Sequence, residues 1–287
     1  MNKLIYIVII GLVSFACTKK EVVLKTKEVV LESPQQIFPL GDSTARPILY
    51  RNIPSFESLT VDQSKEKFIA AVLPAILVSK YRMEQDRNEL KELIKKDEWT
   101  QADSSFFKLQ VARFNTEDTT KLLSRMLTHP NSIVLAQAAV ESGWGSSRFF
   151  QQANNLFGIW SYDPNEPRIE ASYSRGDDKI YLRKYDDVSE SITDYFETVG
   201  RSRAYRHFRS AREKTDNVQQ LLPHLKYYSE RRGAYVDQLR TIIRQNDLTQ
   251  YDDYQIDPSF FVEQTISYEN SNDSTHTAFS AFFNWMR

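Results

Sequence analysis

The segment from Ser132 to Ser147 constrains the fold of this chain more than any other segment. It reads Ser-Ile-Val-Leu-Ala-Gln-Ala-Ala-Val-Glu-Ser-Gly-Trp-Gly-Ser-Ser. A helix that is apolar on nearly every face is stable when protein surrounds it on all sides. The sequence therefore predicts a buried central helix that ends at Glu141, followed by a turn through Gly143-Trp144-Gly145.

The remainder of the chain predicts a mainly α-helical protein. Apolar residues recur at helical spacing from Val61 onward, and Pro74 in this first run predicts a kink or a break. Residues 168–183 interrupt the helical period and predict a β-hairpin, because turn residues separate two runs of alternating character. Further helices are expected at Phe106–Phe114, Asp118–Leu127, Ser132–Glu141, Ser146–Gln152, Ser189–Val199, Ala204–Arg212, Val218–Tyr228 and Tyr235–Asn246.

The N-terminus is typical of an export signal. Two polar residues, Asn2 and Lys3, precede an apolar run over residues 4–16, which is too short to span ~30 Å of hydrocarbon as a helix. The sequence Val-Ser-Phe-Ala-Cys that ends at Cys17 resembles a bacterial lipobox. We therefore expect a signal peptide over residues 1–16, a lipid on Cys17, and a membrane-anchored protein facing the periplasm, with the outer membrane as the expected site. The alternative is a plain signal peptide that leaves an unmodified cysteine.

Domain boundaries follow from composition. Four prolines between Ser33 and Pro54 and the lack of a clear period predict a lipid-anchored tether or linker over residues 17–54. The helical pattern then predicts one domain over residues 55–250. Residues 251–287 form a C-terminal tail to which the sequence assigns no role.

Composition excludes several classes of function. Apolar residues make up 41% of the chain, which argues against global disorder. One cysteine and four scattered histidines without metal-ligand spacing argue against a metal centre, and we expect no cofactor. A net charge of −1 argues against a nucleic-acid partner.

Glu141 is the residue on which the chemical interpretation depends. Burial and the negative end of a helix dipole both disfavour an ionised carboxylate, and the neighbouring Trp144 excludes water. A glutamic acid that keeps its proton near neutral pH can act as a general acid on a glycosidic bond, as in lysozyme. The alternative is a buried glutamate that hydrogen bonds or an arginine satisfy.

A second motif, Asn-Asn-Leu-Phe-Gly-Ile-Trp at residues 154–160, follows shortly after this helix. Exposed aromatic rings can cover the apolar faces of sugars, and amides can bond their hydroxyl and acetamido groups. This predicts substrate contacts by Trp144, Asn155, Phe157 and Trp160. The alternative for Phe157 and its apolar neighbours is a place in the core.

Together these two motifs resemble the bacterial glucosaminidase family. The Bax-like branch of that family fits best, because the similarity extends upstream and downstream of the two motifs. Further matching segments cover the chain from about Pro54 to Asp247, among them Ser-Glu-Arg-Arg-Gly-Ala-Tyr at residues 229–235. The resemblance implies a lysozyme-like helical domain with a small β-hairpin lobe. It also implies a sugar-binding groove and cleavage of N-acetylglucosamine linkages in peptidoglycan.

The resemblance also implies roles for individual residues. Glu141 takes the position of the family's general acid. Glu170 lies at the offset of a second carboxylate, before a motif that ends at Tyr185, which is an expected substrate contact. Tyr228 best matches a tyrosine late in the family pattern, although it could be a half-buried helix residue. The alternatives to Glu170 are Glu166, Asp177 and Asp178.

Two other functions fit the same residues. A lytic transglycosylase or muramidase would share the fold and a single acid. A catalytically silent lipoprotein could bind peptidoglycan through the same groove without cutting it. In all three cases the expected partners are glycan strands and, through the lipid, a membrane.

Overall fold

The computed structural model describes residues 17–175 and 178–268. The strands in this part of the chain are β1 (Cys17–Leu24), β2 (Lys27–Val29), β3 (Thr44–Ala45), β4 (Ile48–Tyr50), β5 (Arg168–Arg175), β6 (Asp178–Arg183), β7 (Gln255–Ile256) and β8 (Phe261–Tyr268). The helices are α1 (Val61–Leu93), α2 (Gln101–Phe114), α3 (Thr119–Arg125), α4 (Asn131–Ser142), α5 (Arg148–Ala153), α6 (Val188–Arg201), α7 (Arg206–Arg212), α8 (Val218–Leu221) and α9 (Gly233–Gln245). The predicted mainly α-helical class is confirmed. No helix within the described residues is long and apolar enough to cross a membrane.

The chain divides into two units, and the described part of the smaller one contains a two-stranded ribbon. Strand β1 pairs antiparallel with β8, from Cys17 opposite Tyr268 to Leu24 opposite Phe261. The exposed side chains of Lys20 and Glu263 form an ion pair of 3.2 Å across it. The first residues after the predicted cleavage site therefore form a paired strand, which differs from the predicted free tether.

Helix α1 is the long central element of the larger unit, which spans Thr26–Phe260. A capping box at Thr60 and Gln63 starts it, and every residue from Phe68 to Ser79 is buried. Pro74 lies inside this buried stretch, yet the helix continues through it to Leu93. The predicted break at Pro74 is wrong, because burial on all sides outweighs the one backbone hydrogen bond that proline removes.

Residues 26–54 belong to the packed unit and are not a linker. Strand β2 pairs in parallel with β4, and apolar side chains of this segment, such as Ile37 and Tyr50, are buried. Lys67 of α1 donates a hydrogen bond of 2.9 Å to the carbonyl oxygen of Ile37. The predicted domain boundary at residue 54 is therefore wrong, because apolar residues between the prolines pack against the helices.

The first residues of the predicted tail also pack into this unit. Strand β7 pairs in parallel with β3, and Asp252 accepts hydrogen bonds from the backbone N–H and the hydroxyl of Ser132 at 2.7 and 2.8 Å. Asp252 thereby caps the start of α4, which has no side-chain cap of its own. The packed unit thus extends to Phe260, and residues 269–287 of the predicted tail lie outside the described part.

The predicted β-hairpin is present. Strands β5 and β6 are antiparallel, with Arg168 opposite Arg183 and Glu170 opposite Tyr181, and the register shifts between Glu170 and Ser174. The hairpin has a small apolar cluster of its own, formed by Ala171, Ile180 and Leu182 with Phe149 and Trp160 against it. This cluster joins the hairpin to α5 and to the loop that precedes β5.

Candidate active site

Helix α4 carries Glu141 from the core to the surface. Its residues from Asn131 to Ala139 are buried, as the sequence predicts, whereas Val140 is half-buried and Glu141 is exposed. The predicted burial of the Glu141 side chain is therefore wrong, because the helix emerges from the core one turn before it ends. The carboxyl is open to solvent and to any molecule that reaches this surface.

The pKa of Glu141 is nevertheless raised above its ordinary value of 4.5. The largest cause is loss of hydration to surrounding protein atoms, which opposes ionisation even where water reaches one side of the group. A hydrogen bond from Tyr235 and the positive charge of Arg231 act in the opposite direction. The net shift favours a carboxylic acid that keeps its proton to a higher pH than an ordinary glutamate.

Tyr235 on α9 is the tyrosine that contacts Glu141. Its hydroxyl donates to Oε1 of Glu141 at 3.0 Å, and its side chain is fully buried. Tyr228, the residue chosen from the sequence, stacks almost parallel on the Tyr235 ring, with centroids 5.5 Å apart. Tyr235 therefore makes the contact with the carboxyl, and the substrate contact expected of Tyr228 stays a prediction. Both tyrosines lie in the same matched region, and spacing alone does not distinguish them.

A hydrogen-bond chain continues from Tyr235 into the core. Nε2 of Gln137 donates to the Tyr235 hydroxyl at 3.1 Å, and the Tyr195 hydroxyl donates to Oε1 of Gln137 at 2.6 Å. Nε2 of His129 lies 2.8 Å from the same Tyr195 hydroxyl. Gln137, Tyr195 and His129 are all buried. We call the five residues Glu141, Tyr235, Gln137, Tyr195 and His129 the acid chain.

The turn after Glu141 is built from three consecutive residues with positive φ. These are Gly143 at 57°, Trp144 at 55° and Gly145 at 86°. A Cβ on Gly145 would lie 3.0–3.2 Å from ring atoms of three phenylalanines, so glycine is required there. This turn closes α4 and holds the half-exposed Trp144 beside the exposed Glu141.

Trp144 borders a surface cavity of about 280 Å³. Its ring packs edge-on against Phe68, with centroids 5.5 Å apart, and the Lys65 ammonium lies 5.3 Å from its centre. The cavity is lined by Ser55, Phe56, Glu57, Leu59, Val61, Ser64, Lys65, Gly143, Trp144, Ser146 and Gln151. Trp144 thus lines an open cavity, and its role as a substrate contact stays a prediction.

Asn155 and Phe157 have structural places instead of the predicted exposed ones. Asn155 is buried, and its amide bonds the backbone of Ile159 and Arg183 at 2.9 Å each. Phe157 is buried and stacks on Tyr195, with centroids 4.2 Å apart. The predicted sugar contacts by these two side chains are corrected, because the loop uses them to attach itself to the hairpin and the core.

Trp160 and Tyr185 lie at the base of the hairpin. Trp160 is half-buried, forms a β-bridge with Leu182, and lies 6.1 Å from the ring of the exposed Tyr162. Tyr185 donates its hydroxyl to Asp194 at 2.8 Å, and Arg183 binds the same carboxyl oxygen at 2.6 Å. Trp160 keeps a partly open surface, whereas the Tyr185 hydroxyl is committed to this ion-pair network.

Glu170 lies on the hairpin with its side chain exposed. Its carboxylate pairs with Lys179 at 3.1 Å, and it is not among the groups that shift the pKa of Glu141. Of the alternatives, Glu166 pairs with Arg183 at 3.1 Å. Asp177 lies outside the described residues, and Asp178 is described through its backbone alone. The structure therefore keeps Glu170 accessible but does not bring it into contact with Glu141.

Comparisons with known proteins cover the region that contains this site. The glucosaminidase family, described as mannosyl-glycoprotein endo-beta-N-acetylglucosaminidase, matches residues 117–248. The protein bax of Escherichia coli is 27% identical over 199 residues, which is 63% of this chain and 69% of that protein. The exo-glucosaminidase LytG of Bacillus subtilis is 29% identical over 138 residues, 45% of this chain and 47% of LytG.

Among solved structures, the catalytic domain of the autolysin Auto from Listeria monocytogenes is 23% identical, with a TM-score of 0.37, over 59% of this chain and 97% of that domain. The sequence matches span α3 to α9 and include both Glu141 and Tyr235. Residues 117–248 therefore match the glucosaminidase family, the chain is similar to Bax-like proteins, and these matches support a glycosidase-type enzyme.

Proposed function

We propose that this protein hydrolyses β-1,4 N-acetylglucosaminyl linkages of peptidoglycan, with Glu141 as the general acid. The observation that carries the proposal is the state of the Glu141 carboxyl, which combines a raised pKa with an exposed position. Tyr235 holds one of its oxygens and leaves the other for substrate. The substrate class is supported by the motifs at residues 136–147 and 154–160 that the chain shares with the glucosaminidase family.

In the proposed reaction, Glu141 protonates the glycosidic oxygen as the bond from this oxygen to the anomeric carbon breaks, and positive charge develops on the sugar ring that contains the anomeric carbon. The carboxylate that this leaves is stabilised by the Tyr235 hydroxyl and by the charge of Arg231. These interactions favour the ionised form that follows proton transfer. Trp144 and the cavity beside it offer an apolar surface for a sugar ring.

The second half of the reaction has two routes. Glu170 is the proposed base that activates water, which inverts the sugar centre and needs roughly 6.5–9.5 Å between the two carboxyls. The exposed ion pair with Lys179 leaves Glu170 free to change partner when substrate binds. The alternative is attack by the substrate's own acetamido group, for which no second carboxylate is needed.

The test is product analysis with purified peptidoglycan and the Glu141→Gln variant. We expect wild type to release products with reducing N-acetylglucosamine ends, and Glu141→Gln to lose at least about 100-fold in kcat. An exposed glutamate on α1, changed as Glu92→Gln, is the matched control and should keep full activity.

Each other outcome identifies a different function. Anhydro-muramic ends would indicate a lytic transglycosylase, and reducing muramic ends would indicate a muramidase. Binding without products would indicate a silent peptidoglycan-binding protein. A Glu141→Gln variant with wild-type activity would overturn the assignment of the acid.

We further propose that residues 1–16 are removed as a signal peptide, that Cys17 carries a lipid, and that the mature protein is anchored in the outer membrane, facing the periplasm. The support is the apolar run before Cys17 and the lipobox-like residues at 13–17. Mass spectrometry of the mature N-terminus tests this proposal. We expect a diacylglyceryl-modified Cys17 in the outer-membrane fraction, and a shift to the soluble fraction for Cys17→Ser. An unmodified thiol in the mature protein would contradict it.

A further inference from the structure

We propose that His129, at the far end of the acid chain, sets the direction of every hydrogen bond in it and thereby fixes the reactive proton of Glu141 on Oε2. This inference rests on the proposed role of Glu141 as general acid. It assigns positioning roles to three buried residues, His129, Tyr195 and Gln137. None of them reaches the surface on which Glu141 opens.

The acid chain can be satisfied in two opposite directions. In one, each donor points toward Glu141, and Tyr235 donates to the carboxyl. In the other, the Gln137 amide is turned over, each donor points toward His129, and Glu141 must donate its own proton to Tyr235. Heavy-atom positions fit both, because the oxygen and nitrogen of an amide occupy equivalent places. A residue at the end of the acid chain must therefore determine the direction of its hydrogen bonds.

His129 determines this direction through its tautomer. Its Nε2 bonds Tyr195, whereas its Nδ1 is buried and has no hydrogen-bond partner among the residues that the structure describes. A neutral imidazole carries one N–H, and a buried N–H without an acceptor costs more than a bare lone pair. The proton therefore resides on Nε2. Burial, together with the charges of Arg212 and Lys80, lowers the pKa of His129 far below its ordinary value, so the ring stays neutral.

The tautomer then determines each bond in turn. Because Tyr195 receives a hydrogen from His129, its own hydrogen goes to Oε1 of Gln137, over 2.6 Å. The Gln137 amide nitrogen consequently faces Tyr235, whose hydrogen goes to Oε1 of Glu141. With Oε1 occupied as an acceptor, the carboxyl proton sits on Oε2.

This direction favours catalysis because the bond from Tyr235 strengthens when Glu141 becomes a carboxylate. The reverse direction would place the proton between Glu141 and Tyr235, away from substrate. The other titratable groups that act on this carboxyl are Arg231 and the tyrosines at positions 195, 205 and 228. These tyrosines have raised pKa values and are neutral at physiological pH, so Arg231 is the charged group among them.

The first test is the tautomer of His129 in the full chain, read from its ring ¹⁵N chemical shifts near neutral pH. We expect a neutral ring protonated on Nε2. A ring protonated on Nδ1, or on both nitrogens, would overturn the inference. This measurement needs neither substrate nor a variant, except His129→Gln to assign the signal among the four histidines. It therefore stands even where the proposed function fails.

The second test is Tyr195→Phe, which removes the hydroxyl and keeps the ring that stacks on Phe157. We expect kcat to fall about tenfold with KM unchanged. Loss of a fixed donor at Glu141 also raises the pKa of its carboxyl, so the alkaline limb of the activity profile moves to higher pH. A purely structural role of Tyr195 would not shift that limb.

Tyr50→Phe is the matched control, since it deletes another fully buried hydroxyl, which accepts from the Phe38 N–H at 3.0 Å. It should change stability without moving the alkaline limb. An unmoved limb in Tyr195→Phe would overturn the inference. Inactivity of the wild type would instead count against the proposed function.

Discussion

The carboxyl of Glu141 lowers the stability of the fold at neutral pH. Its pKa in the folded protein is raised, so the folded state binds the proton more tightly than the unfolded chain. The stability that this group contributes is present in full below its ordinary pKa of 4.5, and it is lost as pH rises through the folded value. In the proposed reaction, the same property would let the group donate a proton to substrate.

Glu141→Gln should therefore be more stable than wild type at about pH 7, because the amide keeps the bond from Tyr235 and has no charge to hydrate. We expect a higher Tm by calorimetry at neutral pH and equal Tm values at about pH 4, where wild type is also protonated. A gain in Tm that persists unchanged at low pH would show that ionisation of Glu141 is not its cause.

The sequence identifies Glu141 because a carboxylate directly after a buried apolar helix is a local pattern. It does not identify Tyr235, since the contact joins α4 to α9 across the fold and depends on how the two helices pack. Asn155 shows the converse. Its amide looks suited to a sugar, yet one of the carbonyls it binds, that of Arg183, lies in a hairpin whose position the sequence does not state.

At the scale of elements, the turn from Gly143 to Gly145 shows how glycine shapes the helix end that carries Glu141. Gly145→Ala adds a methyl group at φ 86° and against three aromatic rings, so we expect a loss of about 3 kcal/mol in the free energy of unfolding. Gly158→Ala is the matched control, since its φ is 67° and no atom of the described part of the chain lies within 4 Å of the added carbon.

The Gly158→Ala control measures the loss in the free energy of unfolding that positive φ alone causes, which should be about 1 kcal/mol. Urea unfolding of both variants measures the difference. Equal losses for the two would mean that the aromatic rings move aside and that crowding at Gly145 contributes nothing.

The hairpin carries the second prediction at this scale. If Glu170 is the base, Glu170→Gln should lower kcat by about 100-fold with little change in KM. Lys179→Gln, which removes its ion-pair partner, is the control and should retain most activity. Near-normal activity of Glu170→Gln on peptidoglycan would assign the second step to the substrate's acetamido group.

Most helices and the hairpin were predictable because their apolar periods are strong and local. Helix α1 was predictable up to Pro74, but its continuation was not, because packing at Phe68–Ser79 overrides the proline. The short helix α8 continues as a 3-10 turn over Leu222–Leu225, where Pro223 ends the α-helical pattern. Such changes of helix type depend on tertiary contacts that a single sequence does not reveal.

At the scale of the whole molecule, the helix that bears Glu141 depends on a residue 120 positions away. Asp252→Ala removes both acceptors from Ser132 and should lower the free energy of unfolding by about 1–2 kcal/mol. Asp253→Ala changes an exposed neighbour and should stay within about 0.5 kcal/mol of wild type. Denaturant unfolding measures both, and equal effects would contradict a capping role for Asp252.

The segments before residue 55 and after residue 250 were the least predictable parts of the packed unit. Each contains short strands of two or three residues, such as Thr44–Ala45 and Gln255–Ile256, that are stable because they pair with each other or with neighbouring segments. Strands this short leave no period in the sequence. Their pairing partners lie far along the chain, so composition suggests a linker, whereas in the structure these segments are part of the packed domain.

The pairing of Thr44 with Gln255 also affects the order of folding. A nascent chain cannot complete this domain until Gln255 and Ile256 have emerged, because the strand at Thr44–Ala45 pairs with them. Closing so long a loop is slow. A chain that is moved across a membrane with its N-terminus first would therefore complete this domain only after crossing. The hydrogen bonds from Ser132 of α4 to Asp252 would then form on the far side.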